Sequence, residues 1–341
     1  MRFTMWKKAL VGIPSVSRET WSALDIVSKW LICTRAAVLV MTLFSGVLAG
    51  LFALRDGQFR FLPWIVMTIG LVLAHASNNL FNDYTDYVRG VDAGSYFRTR
   101  YGAHPVAHGL MTTRQLLGFF WITGGLALGL AILLAAFNGW DPLLFVLTAI
   151  GSAFLLLYTW PFKYLGLGEL SVLLVWGPLM IGGGYYAITR HWSWEVVLAG
   201  APYALGVTTV ILGKHIDKAE LDREKGIRTL PVLLGEAPSR SIVVSLLLIP
   251  YLVVFALVAV RYFSPALGLV LLSVPALVRF LPPFLRPRPA SRPEGFPDGQ
   301  GGWPLYFAPI AFVYTRAFGM WFLLGVAADA AVRILLPGFW R

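Results

Sequence analysis

The sequence predicts an all-α polytopic membrane protein with nine transmembrane helices and a cytoplasmic N-terminus. Three observations lead there. The 341 residues are 57% hydrophobic and only 13% charged, with a mean hydropathy of +0.70. A water-soluble domain carries about a quarter charged residues, so in water this chain would show apolar surface on most faces. That excludes a single soluble enzyme, a disordered chain, a coiled coil and a disulfide scaffold. Apolar windows of about 20 residues, long enough to cross a bilayer, recur along the chain. Finally, the Lys and Arg residues lie between those windows with a strong bias to one side.

The windows fall at 30–54, 61–81, 115–137, 142–160, 168–189, 194–216, 239–260, 265–285 and 305–336. With nine spans the connecting segments alternate sides. The N-terminal tail and the loops after spans two, four, six and eight hold nineteen of the 28 basic residues, and the opposite side holds six: Arg55, Arg60, Arg190, Arg261, Arg333 and Arg341. Arg35, Arg279 and Arg316 lie within spans. Cationic loops stay in the cytoplasm, so the N-terminus is expected inside and the C-terminus outside. The formal charge of +11 therefore reports orientation in a lipid bilayer and not a nucleic-acid face.

Before the first span, residues 1–29 read either as a basic tail or as a helix lying on the membrane surface. The first long apolar stretch starts near Leu31, too late and too long for a cleaved signal. The single cysteine, Cys33, lies in that stretch as a small core residue and permits no intrachain disulfide. Residues 30–336 form one transmembrane domain. Residues 286–304, rich in Pro, Gly and Arg, read as an irregular loop.

The acids carry the functional information. Seven of the 17 fall in two short segments that continue apolar spans on the same predicted side: Asp83, Asp86 and Asp92 after span two, and Asp217, Glu220, Asp222 and Glu224 after span six. Ionisable groups at membrane depth are costly and are usually paired, hydrated or metal-bound. In the first segment, Asn78 to Asp92, helical spacing lets Asn82 and Asp83 converge with Asp86. These are hard oxygen ligands suited to Mg²⁺, and Gly90 lets the chain leave the helix before Asp92. The bland alternative is a hydrated helix end. The second segment, Lys214 to Gly235, mixes acids with Lys and Arg that suit phosphate oxygens; alone it also reads as a surface helix of alternating charge. Together the two segments suit a diphosphate bridged by Mg²⁺, its lipid tail among apolar helices.

At these residues the chain resembles the UbiA superfamily of intramembrane prenyltransferases. Asn82-Asp83-Tyr84-Thr85-Asp86 matches the first family motif, and Asp222-Arg223-Glu224-Lys225-Gly226-Ile227-Arg228-Thr229-Leu230 matches the second. Tyr158 to Phe162, Tyr164 to Leu170, Gly177-Pro178-Leu179, Gly184-Tyr185-Tyr186 and Asp92 are similar to the branch that prenylates 1,4-dihydroxy-2-naphthoate in menaquinone synthesis. The resemblance spans roughly residues 30–335. It implies a nine-helix bundle around a central cavity in a bacterial cell membrane, a site open to the cytoplasm, and two Mg²⁺ ions gripping an isoprenyl diphosphate. By position Asn82, Asp83 and Asp86 would serve one metal, and Asp217 and Asp222 the other. Asp217 and Asp222 are five apart where the family has four, which is about 140° around a helix. Either the helix loosens there or Glu220 supplies the ligand. Gly213-Lys214-His215 stands where that branch carries Asn residues, and Trp160 where Gly is common.

The implied activity is Mg²⁺-dependent transfer of a polyprenyl group to an aromatic acceptor, with Asp86, Asp217 and Asp222 at its catalytic centre. Cations for the leaving diphosphate would come from Lys218, Arg223, Lys225 and Arg228, with Arg98, Arg100 and His104 from the other loop. Asn79 and Lys163 join as substrate-binding candidates, Lys163 and Glu169 on the acceptor side. Tyr158, Trp160, Tyr185 and Tyr186 offer ring faces to a cation, or pack as ordinary aromatics. His75 reads as a packing residue. A terpene cyclase or transfer to another acceptor stays open. A transporter would need paired, broken repeats, and a CDP-alcohol phosphatidyltransferase a Gly straight after the opening Asp, where this chain has Tyr84 or Tyr87.

Overall fold

A computed structural model describes residues 2–92, 97–297 and 301–336, with Gly338; Arg341 and the side chain of Arg2, both counted in the charge bias, lie outside the described residues. Every regular element among the described residues is helical. Three helices precede the first span: α1 (Arg2–Val11), α2 (Arg18–Ala23) and α3 (Ile26–Cys33). Ser17 and Asp25 accept the first backbone N–H groups of α2 and α3, which would otherwise lack partners. Ala9, Trp21 and the fully buried Cys33 pack with Leu80, Leu116 and Phe120. Ile13 reaches Val91 and Tyr101 beyond the second span.

After a left-handed turn at Arg35 (φ 54°), α4 (Val40–Arg55) and α5 (Phe61–Val88) form a hairpin. The 28 residues of α5 measure about 42 Å, more than the roughly 30 Å of hydrocarbon. Its last turns, with Asn82, Asp83 and Asp86, therefore stand at the end of the bundle. Then come α6 (Thr113–Phe137), opened by a Thr112–Gln115 capping box, and α7 (Pro142–Leu157), capped by Asp141. The next span runs through α8 (Gly168–Leu174), a π-helical stretch at Val175–Gly182 around Pro178, and α9 (Gly183–Thr189). Proline has no N–H to donate, and the wider turn accommodates it. α10 (Trp194–Asp217) leads into the short α11 (Ala219–Glu224) and α12 (Leu230–Leu234), followed by α13 (Glu236–Ala259). A 3₁₀ stretch at Pro265–Ser273 runs into α14 (Val274–Phe280), and α15 (Phe307–Leu335) closes the bundle.

Seven helical stretches are long and apolar enough to cross a membrane: Ala36–Arg55, Phe61–Val88, Thr113–Phe137, Gly168–Thr189, Trp194–Asp217, Glu236–Ala259 and Phe307–Leu335. The remaining two windows, expected at 142–160 and 265–285, fold as the shorter apolar segments Pro142–Leu157 and Pro265–Phe280. The sixteen residues of α7 reach only about 24 Å: it starts where the window does, at Pro142, and ends early, ahead of Pro161.

α4 and α10 lie at the centre, packed by α13, α15 and the Gly168–Thr189 span. The close approach of α10 to α15 requires Gly213, where a Cβ would stand 3.0 Å from the Phe307 carbonyl carbon. Residues 286–304 are largely irregular, as expected. In the described part beyond residue 300, the Gly301 N–H donates to the Tyr101 carbonyl at 2.8 Å, tying this segment to the loop after α5.

Candidate functional site

The ends of α5 and α10 lie together with the loop after α5 and the turn after α7. Asn82, one helical turn before Asp86, donates to Asp86 Oδ2 (3.2 Å) and to Thr159 (2.9 Å). The Lys163 ammonium grips both Asp86 oxygens, at 2.9 and 2.8 Å. Asp83 points the other way: fully buried, it is held by Arg35 and by Arg98, whose Nη2 lies 3.0 Å from Oδ2. Burial opposes the Arg98 charge, but Asp83 more than offsets this and holds the guanidinium above its usual pKa.

Asp92 returns towards the pocket past Gly90. His104 Nδ1 accepts the Ala107 N–H (3.2 Å), so the proton sits on Nε2, which donates to Asp92 Oδ2 at 2.8 Å. Asp92 Oδ1 is buried and has no hydrogen-bond partner among the described residues. Ligand atoms of Asp83, Asp92 and His104 lie within 4.8 Å of one another.

A small polar pocket is bordered by Asn82, Asp86 and Asp92 and by four cations, Arg98, Lys163, Lys214 and Lys218. Asn82, Tyr101, Tyr158 and Lys214 also border a second space, a largely apolar cavity of about 1180 Å³ running down among α4, α5, α6, α7, α10 and the Gly168–Thr189 span. Roughly 300–1,000 Å³ is usual for a small-molecule site. Burial pushes the Tyr158 and Tyr101 hydroxyls above the ordinary phenol range, so both stay protonated donors at this junction.

The second acid segment is arranged differently. Both oxygens of Asp217 accept backbone N–H groups at the start of α15: Tyr306 at 2.9 Å, and Phe307 and Ala308 at 3.0 Å each. Asp217 is therefore a helix-capping residue here, turned from the pocket by the five-residue offset. Asp222 is fully buried with Oδ1 2.8 Å from Lys218 Nζ. Glu220, Arg223, Lys225 and Arg228 are exposed, and the Lys225 ammonium donates to the Gly90 carbonyl. Arg100 is exposed as well. Of the residues expected around a diphosphate, the pocket thus gathers Asn82, Asp86, Arg98, Lys163, Lys218 and Tyr158, with His104 behind Asp92. It does not gather Glu220 and Arg223, on the exposed face of α11, or Arg100, Lys225 and Arg228, exposed in the connecting loops. Asn79 lines the apolar cavity and donates to the Thr34 carbonyl at 2.8 Å.

Tyr185 and Tyr186 donate to Asp56 and Asp141 at the opposite end of the bundle (2.9 and 2.6 Å), so they do not face the pocket. Trp160 stacks against the Arg89 guanidinium. Glu169 joins α8 to His215 (2.6 Å) and to the Leu230 N–H (3.1 Å). His75 meets Thr42 across α4 and α5 at 2.8 Å. Sequence reasoning missed two residues as participants, Arg35 and Lys214. The signal for Arg35 was present: an arginine inside an apolar span requires a partner, and the nearest acids stood at the matching end of the next span.

Fold and site together define a multi-pass membrane protein whose cation-rich polar pocket adjoins an apolar cavity. The UbiA prenyltransferase family matches residues 43–294, and the chain belongs to it. Among curated relatives, the UbiA prenyltransferase domain-containing protein 1 homolog of Drosophila melanogaster is 26% identical over 220 residues, 64% of this chain and 60% of that protein. The chain thus spans about 60% of that relative's length. The 1,4-dihydroxy-2-naphthoate octaprenyltransferase of Bacillus subtilis is 27% identical over 256 residues, covering 74% of this chain and 79% of that one. A solved UbiA homolog from Archaeoglobus fulgidus, bound to DMAPP and Mg²⁺, aligns with a TM-score of 0.57 at 14% identity, covering 88% of this chain and 99% of that one.

Proposed function

We propose that the protein transfers a prenyl group from an isoprenyl diphosphate to an aromatic ring, with 1,4-dihydroxy-2-naphthoate as the favoured acceptor. The observation that carries this reading is that the polar pocket adjoins the apolar cavity, the two sharing Asn82, Tyr101, Tyr158 and Lys214 as lining residues. One end suits a diphosphate and the other an isoprenoid chain. The names of the Bacillus relative and the Archaeoglobus structure support the same chemistry.

Asn82, Asp86 and Asp92 form the donor set that fits a divalent ion: hard oxygens around a pocket, including the buried, unpartnered Asp92 Oδ1. An Mg²⁺ held there would neutralise negative charge growing on the diphosphate. Arg98, Lys163, Lys214 and Lys218 bind and orient the phosphate oxygens. As the allylic C1–O bond breaks, the electron pair leaves with the diphosphate. C1 is attacked by a ring carbon of the acceptor, and the ring then loses a proton. The apolar walls keep water from intercepting the allylic cation, and the Tyr158 ring stands at the junction where that charge develops. His104 orients Asp92, while Asp83 holds Arg35 and Arg98 behind the pocket. In this reading residues 30–336 act as one domain, the two shorter apolar segments complete nine crossings, and the pocket faces the cytoplasm with the N-terminus.

Proteoliposomes given labelled geranylgeranyl diphosphate, Mg²⁺ and a panel of aromatic acids test the proposal. A prenylated aromatic product by mass, abolished by EDTA, is the expected result. Conversion of the donor to a cyclic hydrocarbon without acceptor, or turnover indifferent to chelator, overturns it.

A further inference from the structure

The second acid segment does not fit a second divalent ion. Two side chains on one helix share a ligand when they lie one turn apart. The position one turn before Asp222 holds Lys218, whose ammonium sits 2.8 Å from Asp222 Oδ1 with both residues buried. Asp217, one residue further back, has both oxygens engaged by three backbone N–H groups of α15, and Arg288 Nε approaches at 3.5 Å. Releasing Asp217 to a metal would leave the buried start of α15 without its acceptor. Glu220 is exposed.

One turn before Lys218 stands Lys214. It borders both the polar pocket and the apolar cavity and has no hydrogen-bond or ion-pair partner among the described residues. Lys214, in the last turn of α10, and Lys218, at the joint between α10 and α11, thus both border the pocket, with the Asp222 carboxylate behind Lys218. Of the four cationic side chains on the pocket wall, Arg98, Lys163 and Lys218 already have a carboxylate partner, whereas Lys214 has none among the described residues and is placed to meet a diphosphate.

On the reading given above, we infer that this protein grips its isoprenyl diphosphate with one divalent ion, on the α5 side. The ammonium groups of Lys214 and Lys218 supply the fixed positive charge on the α10 side. A fixed ammonium is a point donor with three N–H groups. It stabilises the leaving diphosphate without needing free metal to saturate a second site.

Purified protein in nanodiscs, titrated with Mn²⁺ in the presence of the thio-analogue of geranyl diphosphate, tests this by counting bound Mn²⁺ through electron paramagnetic resonance. One Mn²⁺ per chain is expected, and a second should appear in Lys218→Asp, which restores paired acids one turn apart. Lys214→Ala should weaken analogue binding about 10- to 100-fold, as charged hydrogen bonds of roughly 1.5–3 kcal/mol imply, while leaving Mn²⁺ affinity alone. Two Mn²⁺ per wild-type chain with analogue bound overturns the inference and leaves the proposed function standing. Failure of the analogue to bind under any metal condition removes the diphosphate reading itself, and this inference with it.

Discussion

The two ends of the bundle both bury charge, yet they use it differently. At the end near Asp56, Asp141 and Asp329, carboxylates meet structural donors. Asp141 caps α7 and accepts from Tyr186, Asp56 pairs with Arg55 and Tyr185, and Asp329 accepts the Ser264 N–H at 2.6 Å. At the other end Asp86 and Asp92 border a pocket: Asp86 meets Lys163, Asp92 Oδ2 meets His104, and Asp92 Oδ1 has no hydrogen-bond partner among the described residues. An acid that satisfies backbone N–H groups fixes the fold. One that borders a pocket and meets only side-chain donors is available to a ligand. By that test Asp217, although near the pocket in sequence and space, belongs with the structural acids.

The contrast can be broken most directly at Asp86. Asp86→Asn removes a hard anionic ligand and should lower turnover by at least about 10²-fold, the scale of losing one electrostatic contact to a transition state. Size-exclusion profiles should remain monodisperse. Lys163→Gln, which loses the ammonium on both Asp86 oxygens, should lower turnover roughly 10-fold, read with saturating donor. Asp217→Asn should act on the other property. It deprives at least one α15 N–H of its carboxylate, lowering stability by about 1–3 kcal/mol, seen as a drop in thermal midpoint, while turnover per folded molecule is kept. A loss of activity as deep as that of Asp86→Asn, without loss of stability, would move Asp217 to the catalytic side.

The smallest effect is expected from pH at the N-terminal arm. The Ser28 hydroxyl, and then its backbone N–H, hold the Asp25 carboxyl at about 2 against an ordinary 3.8. A pKa lowered by folding stabilises above the unfolded value and is lost as pH falls through the folded one. The contribution of Asp25 should therefore be complete above about pH 4 and fade towards pH 2. Thermal midpoints of wild type and Asp25→Asn, separate at pH 6, should converge across that window.

Periodicity and hydropathy made most spans legible, because a bilayer imposes a length and an apolar composition that survive without tertiary context. The two exceptions, α7 and Pro265–Phe280, start where their windows do and end early, ahead of Pro161 in one and of Pro282-Pro283 in the other. The first acid segment was legible because Asn82 and Asp86 share a helix face whatever packs against it. The second was not. Its acids looked equivalent in sequence, and only the arrival of α15 at Gly213 showed that Asp217 had backbone partners ninety residues away. The exposed Arg223, Lys225 and Arg228 misled for the same reason, since a run of charges beyond a span gives no direction until α11 is oriented.

The sequence by itself determined that this chain lives in a membrane, that its acids gather at two span ends, and that Asn82 and Asp86 share a helix face. These follow from composition and from separations of at most one helical turn. Tertiary structure decided which acids border the pocket and which cations answer them. Those outcomes depend on contacts between residues tens to hundreds of positions apart, and no local spacing encodes them.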